Sequence, residues 1–341
     1  MIMKKTWILF YGLCLFTQLA FAQQRPHYTQ YILNNYILNP ALSGIENYTD
    51  LKISGRDQWV GLNGAPKTAY ISLHAPIGKK DYKTSATSFQ VPGENPRGNS
   101  YWENYTASEP HHGVGFTLIN DKTGLYNRTS LAATYAYHVG LSPTTNLSAG
   151  FSGGVTNISF NVSQAKTENP SDPALANGGI VSRLRPDIGA GLWLYSADYF
   201  VGVSAQQILP QKVSFVDNDK YGVHLVPHFF ATAGYRFLLN EDINALPSVM
   251  FKLVPGSPTM PQFDINCKLQ YHDLLWIGGS YRLHDGYAAM VGLNVGNTFN
   301  ISYAYDIANT PLNSVSNGTH ELVLGFLLGN KYGDTCPRNV W

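Results

Sequence analysis

PQFDINCKLQYHDLLWIGGSYRLHDGYAAMVGLNVGNTFNISYAYD, residues Pro261–Asp306, is four short runs laid end to end. In the first, Phe263, Ile265, Cys267, Leu269 and Tyr271 share one parity, and Asp264, Asn266, Lys268 and Gln270 share the other. His272-Asp273 turns the chain, and Leu274–Arg282 runs back. Tyr287, Ala289, Val291, Leu293 and Val295 then interleave with Ala288, Met290, Gly292 and Asn294. After Gly296-Asn297 the pattern returns, with Phe299, Ile301, Tyr303 and Tyr305 set against Asn300, Ser302, Ala304 and Asp306. Successive side chains on a strand point to opposite faces, so the stretch builds a wall with one apolar and one wet side. Aromatics at the ends of the apolar rows and aliphatics between them fit a lipid-facing band with interfacial girdles. A soluble β-sandwich alternates as well, so this stretch alone leaves both architectures open.

The same alternation predicts about fourteen strands from Asp50 onward. They are Asp50–Gly55, Thr68–Pro76, Gly113–Asn120, Ser130–Val139, Asn146–Thr156, Asp187–Tyr195, Tyr199–Gln206 and His228–Leu238. Ile243–Leu253, Gln262–Tyr271, Leu274–Arg282, Gly286–Val295, Thr298–Asp306 and His320–Leu328 complete the set. Most have about 8–11 residues, enough for a tilted strand to cross a bilayer. The connections sort by length. Leu141–Thr145, Ser196–Asp198, Leu239–Asp242, His272-Asp273 and Gly296-Asn297 are tight, whereas Asn157–Pro186, Gln207–Pro227 and Ile307–Thr319 are long. Tight turns on one rim, long loops on the other and an even strand number are the outer-membrane pattern. A soluble sandwich has no reason to sort its loops this way.

The fold expected is therefore all-β: a transmembrane outer-membrane β-barrel of about 14 antiparallel strands with an N-terminal plug or arm. Residues 1–22 read as a signal peptide, 23–48 as the plug or arm, 49–329 as the barrel and 330–341 as a C-terminal tail. In the arm, Tyr31-Ile32-Leu33 and Tyr36-Ile37-Leu38 bracket two asparagines before Pro40 and Gly44 punctuate the chain, a spacing for short helical turns. One connection breaks the loop rule. The insert at about 77–112 (Ile77–His112) stands where a tight turn belongs, and loops of such length are functional or disordered. It carries Tyr101, Trp102 and Tyr105, which the topology places in the periplasm within reach of a partner.

Composition narrows the function. Charged residues make up 13% of the chain and aromatics another 13%, with 32 glycines and 22 tyrosines. That low charge suits a barrel with a polar but mostly uncharged lumen. The net charge is +1, and it turns slightly negative once Lys4 and Lys5 are removed, so no nucleic-acid partner is expected. Those lysines, the apolar Trp7–Phe16 and Ala20-Phe21-Ala22 form an export signal with cleavage before Gln23. Leu13 precedes Cys14 where a lipoprotein site has a small residue. No later stretch offers about 18 uninterrupted apolar residues for a helical span. Of the remaining cysteines, Cys267 lies on the apolar face and Cys336 in the tail, which favours unpaired thiols over a bridge.

At both ends the chain resembles the PorP/SprF proteins of the type IX secretion system of Bacteroidetes. Tyr28-Thr29-Gln30-Tyr31 leads to Asn39-Pro40-Ala41-Leu42-Ser43-Gly44, followed by Arg56-Asp57-Gln58-Trp59 and Gly64-Ala65-Pro66-Lys67-Thr68. Tyr135-Ala136-Tyr137, Thr319-His320-Glu321-Leu322-Val323-Leu324 and Cys336-Pro337-Arg338 carry it to the C-terminus. The Asn-Pro-Ala element is also similar to that in the N-terminal hatch of FadL-type hydrophobic transporters, which have fourteen strands. The resemblance implies an outer-membrane component of type IX secretion or gliding motility that binds or anchors a secreted surface protein, through an adhesin-like C-terminal domain. Other secretion components, some of them periplasmic, and outer-membrane lipid are the further partners it implies. The alternative is a FadL-like passive channel for small hydrophobic molecules, although the inward parity looks polar. The long Ile77–His112 insert departs from the family pattern.

The partner-binding candidates are Asn39, Pro40, Arg56, Gln58, Trp59, Tyr101, Trp102 and Tyr105. Arg56, Gln58 and Trp59 sit at the first outer connection, where they contact the plug or a passenger, or serve only as a rim girdle. Asn39-Pro40-Ala41 is a gate element or only the bend that seats the arm. Glu321 shares the wet parity of the closing strand, with Arg236 and Lys268 as structural salt-bridge partners. No H-E-x-x-H pair and no complete G-x-G-x-x-G after Gly113-Val114-Gly115 exists, so no enzyme, metal or cofactor is expected.

Overall fold

The computed structural model describes residues 28–79, 107–164, 179–214, 222–240, 242–255, 261–271, 274–295 and 298–329. The expected signal peptide, tail and aromatic part of the insert, including Tyr101, Trp102, Tyr105 and Cys336, lie outside the described residues.

The strands run in chain order as β1 (Thr49–Asp57), β2 (Lys67–Ile77), β3 (His111–Thr123), β4 (Tyr126–Ser142), β5 (Thr145–Asn161) and β6 (Ile180–Tyr195). They continue as β7 (Tyr199–Gln206), β8 (Gln211–Ser214), β9 (Gly222–Leu225), β10 (His228–Tyr235), β11 (Phe237–Leu238) and β12 (Ile243–Leu253). β13 (Gln262–Tyr271), β14 (Leu275–Arg282), β15 (Gly286–Val295), β16 (Phe299–Ala308) and β17 (Thr319–Leu328) complete the wall. β1 pairs with both β2 and β17, and β10 pairs with both β7 and β12, so the antiparallel sheet closes on itself. The result is a closed barrel of 14 wall strands. Closure removes the free edges that an open sheet would present.

The period-two reading is visible in burial. In β2, Thr68, Tyr70, Ser72 and His74 are buried while Ala69 and Ile71 are exposed. In β13, Asn266 and Gln270 turn inward while Ile265, Cys267 and Leu269 face out. Exposed Ile53, Phe116, Val201, Phe251 and Ile277 continue the apolar outer band around the ring.

Several features differ from the sequence expectation. Strands β4, β5 and β6 have 17, 17 and 16 residues, so the long connection after β5 is shorter than its sequence suggests. The connection after β7 contains a separate hairpin, β8–β9, whose Val213 and Leu225 pack on Ile158. Finally, Arg236 interrupts the eighth run, leaving β11 as a two-residue continuation paired with β12. The rim holding residues 143–144, 196–198 and 236–242 is here the turn rim, and its opposite is the loop rim. Loop sorting is looser than expected, since Gly124-Leu125 and Leu283–Asp285 are short links on the loop rim.

Candidate functional site

Residues 28–46 thread the barrel interior from the loop rim to the turn rim. The segment is three short 3-10 turns, Thr29–Leu33, Asn35–Ile37 and Pro40–Leu42, and almost every residue in it is buried. Two apolar clusters hold it. Tyr31, Ile32, Ile37 and Leu38 pack on inward Tyr70, Phe230, Met250, Trp276 and Met290, and Tyr36, Leu42 and Ile45 join Trp193, Phe200 and Leu246. Each large side chain buried this way contributes on the order of 1.5–3 kcal/mol.

Its loop-rim end meets a buried charge cluster built from β1, β16 and β17. Arg56, from β1, donates to Glu321 of β17 at 2.8 Å and to Asp306 of β16 at 2.8 Å. It also donates to the Thr29 hydroxyl, which itself donates to Asp306. The Thr29 amide donates to Glu321 at 2.9 Å, and the Gln30 side chain donates to the Glu321 carbonyl at 2.8 Å. Buried charges are tolerable only when paired and hydrogen-bonded in this way. The partner of Glu321 is thus Arg56, not Arg236 or Lys268. Parity placed all three cations inside, but cross-strand register decides the pairing, and Arg56 stands directly opposite Glu321. Arg56 is correspondingly a buried wall residue rather than a rim side chain.

Gln58 and Trp59 do lie near Arg56. With Arg282, Asp285 and Asp306 they border a small cavity of about 20 Å³ at the loop rim. Trp59 takes a left-handed backbone conformation (φ 52°), and its amide donates to the Thr319 hydroxyl at 3.1 Å. Val60 and residues 317–318 exchange backbone hydrogen bonds, tying the first and last loops of this rim together.

Midway down, the Asn-Pro-Ala turn is fixed by Asn39. Its side-chain oxygen accepts from the Ala41 amide, the usual cap for a turn with proline at its first position. The amide nitrogen donates to the Leu192 and Val203 carbonyls of β6 and β7, at 3.0 and 3.2 Å. Asn39 and Pro40 therefore meet the wall itself, away from Arg56, Gln58 and Trp59 at the loop rim.

Glycines on the wall make room for this backbone. A Cβ at Gly191 would lie 2.0 Å from the Asn39 side chain, one at Gly150 2.4 Å from the Ala41 nitrogen, and one at Gly113 1.7 Å from the Ser43 oxygen. Gly113-Val114-Gly115 is thus a seat for Ser43-Gly44 and Tyr36. Gly150-Phe151-Ser152-Gly153-Gly154 fits the G-x-S-x-G spacing. It lies inside β5, not on the strand-to-helix turn that exposes a nucleophile.

At the turn rim three buried histidines read the segment's backbone. His138 contacts the Ser43 carbonyl at 2.8 Å and the Tyr195 hydroxyl at 3.0 Å. His111 stacks on His138 and contacts the Gly44 carbonyl, while the Gly44 amide donates to His74 at 3.3 Å. Lys79 donates to the Ile45 carbonyl at 2.7 Å, and His111 contacts the Glu109 carbonyl at 2.8 Å, so both bases of the insert touch the end of the segment. Nothing in the sequence separated these histidines from ordinary lumenal polar residues. The Tyr36 hydroxyl pairs with Thr134 at 2.6 Å, and the Tyr31 hydroxyl accepts from the Asn266 side chain at 2.5 Å.

Beside the segment, between β13–β17 and β1, a polar cavity has space of about 80 Å³ for water-sized groups. Lys52, Lys268, Gln270, Asn294 and Asn300 border it. Among the described residues no group of His, Cys, Asp and Glu is arranged to hold a metal ion.

The sequence matches the family model described as type IX secretion system membrane protein PorP/SprF over residues 20–326. No curated protein matches it. Among solved structures, the toluene transporter TbuX of Ralstonia pickettii is similar at 12% identity and TM-score 0.48, over 87% of this chain and 92% of that one. A FadL homologue of Pseudomonas aeruginosa gives 9% identity and TM-score 0.46, over 89% of this chain and 94% of that one. Omp33 of Acinetobacter baumannii gives 8% identity and TM-score 0.46, over 84% of this chain and all of that one.

Proposed function

The chain belongs to the PorP/SprF family of type IX secretion system membrane proteins, and from that premise we propose that it is an outer-membrane anchor for a secreted surface protein. In this reading residues 1–22 direct export, the turn rim faces the periplasm and the loop rim faces outward. Residues 28–46 act as the plug. The passenger is held at the loop rim, through an adhesin-like C-terminal domain, and other secretion components meet the periplasmic side.

One observation supports the reading: the protein's own N-terminal segment runs through the interior and is bonded to β2, β4, β6, β7, β13, β16 and β17. The space beside it is lined by charged and amide side chains (Lys52, Asp50, Lys268, Gln270, Asn294) together with apolar ones such as Ile32, Leu33 and Trp276. A passive channel for hydrophobic molecules needs an apolar, open path, and a passenger inside the lumen would have to displace the segment. The outer loops are the surface left for binding. Type IX function in gliding motility belongs to the same proposal.

Affinity isolation of the tagged protein from native outer membranes, with mass spectrometry of what accompanies it, tests the reading. A large surface protein in fixed ratio is expected. A barrel isolated without protein partners but carrying fatty acid would favour the channel.

A further inference from the structure

The wall rises highest on one side, and there β6 extends beyond its pairing with β7. A strand of about 9–11 residues crosses a bilayer, yet β4, β5 and β6 have 17, 17 and 16. Their surplus lies at the loop rim. On the outward face the rows aligned across β3, β4 and β5 change character there. Phe116, Ala133, Gly153 and then Leu118, Leu131, Val155 are followed by Asn120, Thr129 and Asn157. Asn120 donates to Asn127 and Thr129, and Ser182 donates to Asn157, a polar ladder that belongs above the lipid band.

β6 pairs with β5 along its whole length, from Ile180 to Tyr195, but with β7 only from Ala190 to Tyr195. On the β7 side the Ile188 carbonyl takes the Ile208 amide and the Pro186 carbonyl takes the Gln211 side chain. Backbone groups alternate in direction along a strand, so Leu184 and Ser182 point to this same side. Among the described residues no strand pairs with them there. Pro186, which has no N–H to offer, stands where only an edge tolerates proline. Among the described residues the Ser182 and Leu184 carbonyls accept from the guanidinium groups of their neighbours Arg183 and Arg185, at 3.1 and 3.3 Å, and Arg185 also reaches the Lys212 carbonyl at 3.5 Å. Leu184 and Ile180 are 61% and 69% exposed, in rows otherwise polar.

We propose that the β6 edge at Ile180–Arg185 receives an extended strand of the anchored surface protein, carrying acidic residues toward Arg183 and Arg185 and apolar ones toward Ile180 and Leu184. Main-chain hydrogen bonds to a sheet edge supply affinity, and alternate side chains supply register and specificity. The two arginines keep the edge closed to chance pairing, as charged side chains on exposed edges do, and the partner's carboxylates draw them off the carbonyls. The occupant rests on the anchoring role proposed above; the edge itself rests on pairing and exposure.

The test compares wild type with S182P, which removes one edge N–H, and with R183E/R185E, using the surface protein that accompanies the wild-type barrel. Heat-modifiable migration verifies that each variant is folded. We expect both variants to retain the barrel and lose at least about tenfold of the bound protein, consistent with the loss of one or two charge-assisted contacts. The Ser182 and Leu184 amides should gain hydrogen-exchange protection in the wild-type complex. Undiminished capture by folded S182P and R183E/R185E, with no added protection at these amides, overturns the edge while leaving the anchor intact. Absence of any partner from wild type overturns both.

Discussion

Arg56 and Glu321 face each other across the seam where the first and last wall strands meet, with Arg56 Nη1 lying 2.8 Å from Glu321 Oε2 inside the barrel. The same carboxylate holds the Thr29 amide, so one ion pair joins barrel closure to seating of the N-terminal segment. Removing one member of a buried pair strands the other and costs about 3–5 kcal/mol. Arg56→Ala should therefore lower the midpoint of denaturant unfolding in detergent and expose the segment to protease. Arg56→Ala combined with Glu321→Gln should recover part of the loss. A double variant whose loss equals the sum of those of Arg56→Ala and Glu321→Gln measured singly would show that the pair is not coupled.

Gly113 tests the seat. A Cβ there would stand 1.7 Å from the Ser43 oxygen, whereas one at Gly55 meets nothing within 4 Å. Forcing a methyl into a packed contact costs about 1–3 kcal/mol. Gly113→Ala should leave the wall assembled but make a cysteine placed at Ser43 reactive to a maleimide, and Gly55→Ala should not. Reactivity identical to the parent in both would mean the segment is not pressed on β3.

Asn39 joins the turn to β6 and β7 through one cap and two carbonyl contacts. Loss of an Asn cap costs about 0.5–2 kcal/mol. Asn39→Ala should raise single-channel conductance in planar bilayers if the segment closes the lumen. Asn39→Asp, which keeps the capping oxygen but cannot donate, should fall between the two. Unchanged conductance would assign Asn39-Pro40-Ala41 to the bend alone.

The wall was legible because strand alternation is local: Phe263 to Tyr271 reports its two faces without any knowledge of its neighbours. The overlong parts of β3–β6 were not legible, since Asn120, Thr129 and Asn157 end the apolar alternation while the hydrogen-bond ladder continues. Arg56 was flagged and Glu321 was placed inside, but their pairing depends on closure between the two ends of the chain. No local pattern carries that. The glycine seats were hidden for a different reason. A strand glycine marks a bulge, a bend or a close approach equally well, and only the position of Ser43 and Ala41 selects among these.

Surface retention in cells lacking the protein tests the central claim most directly. If it anchors a secreted surface protein, its deletion should move that protein from the cell surface to the medium, and wild-type complementation should restore it. A surface protein that stays in place, with slowed uptake of small hydrophobic molecules instead, would contradict the anchor and favour the channel.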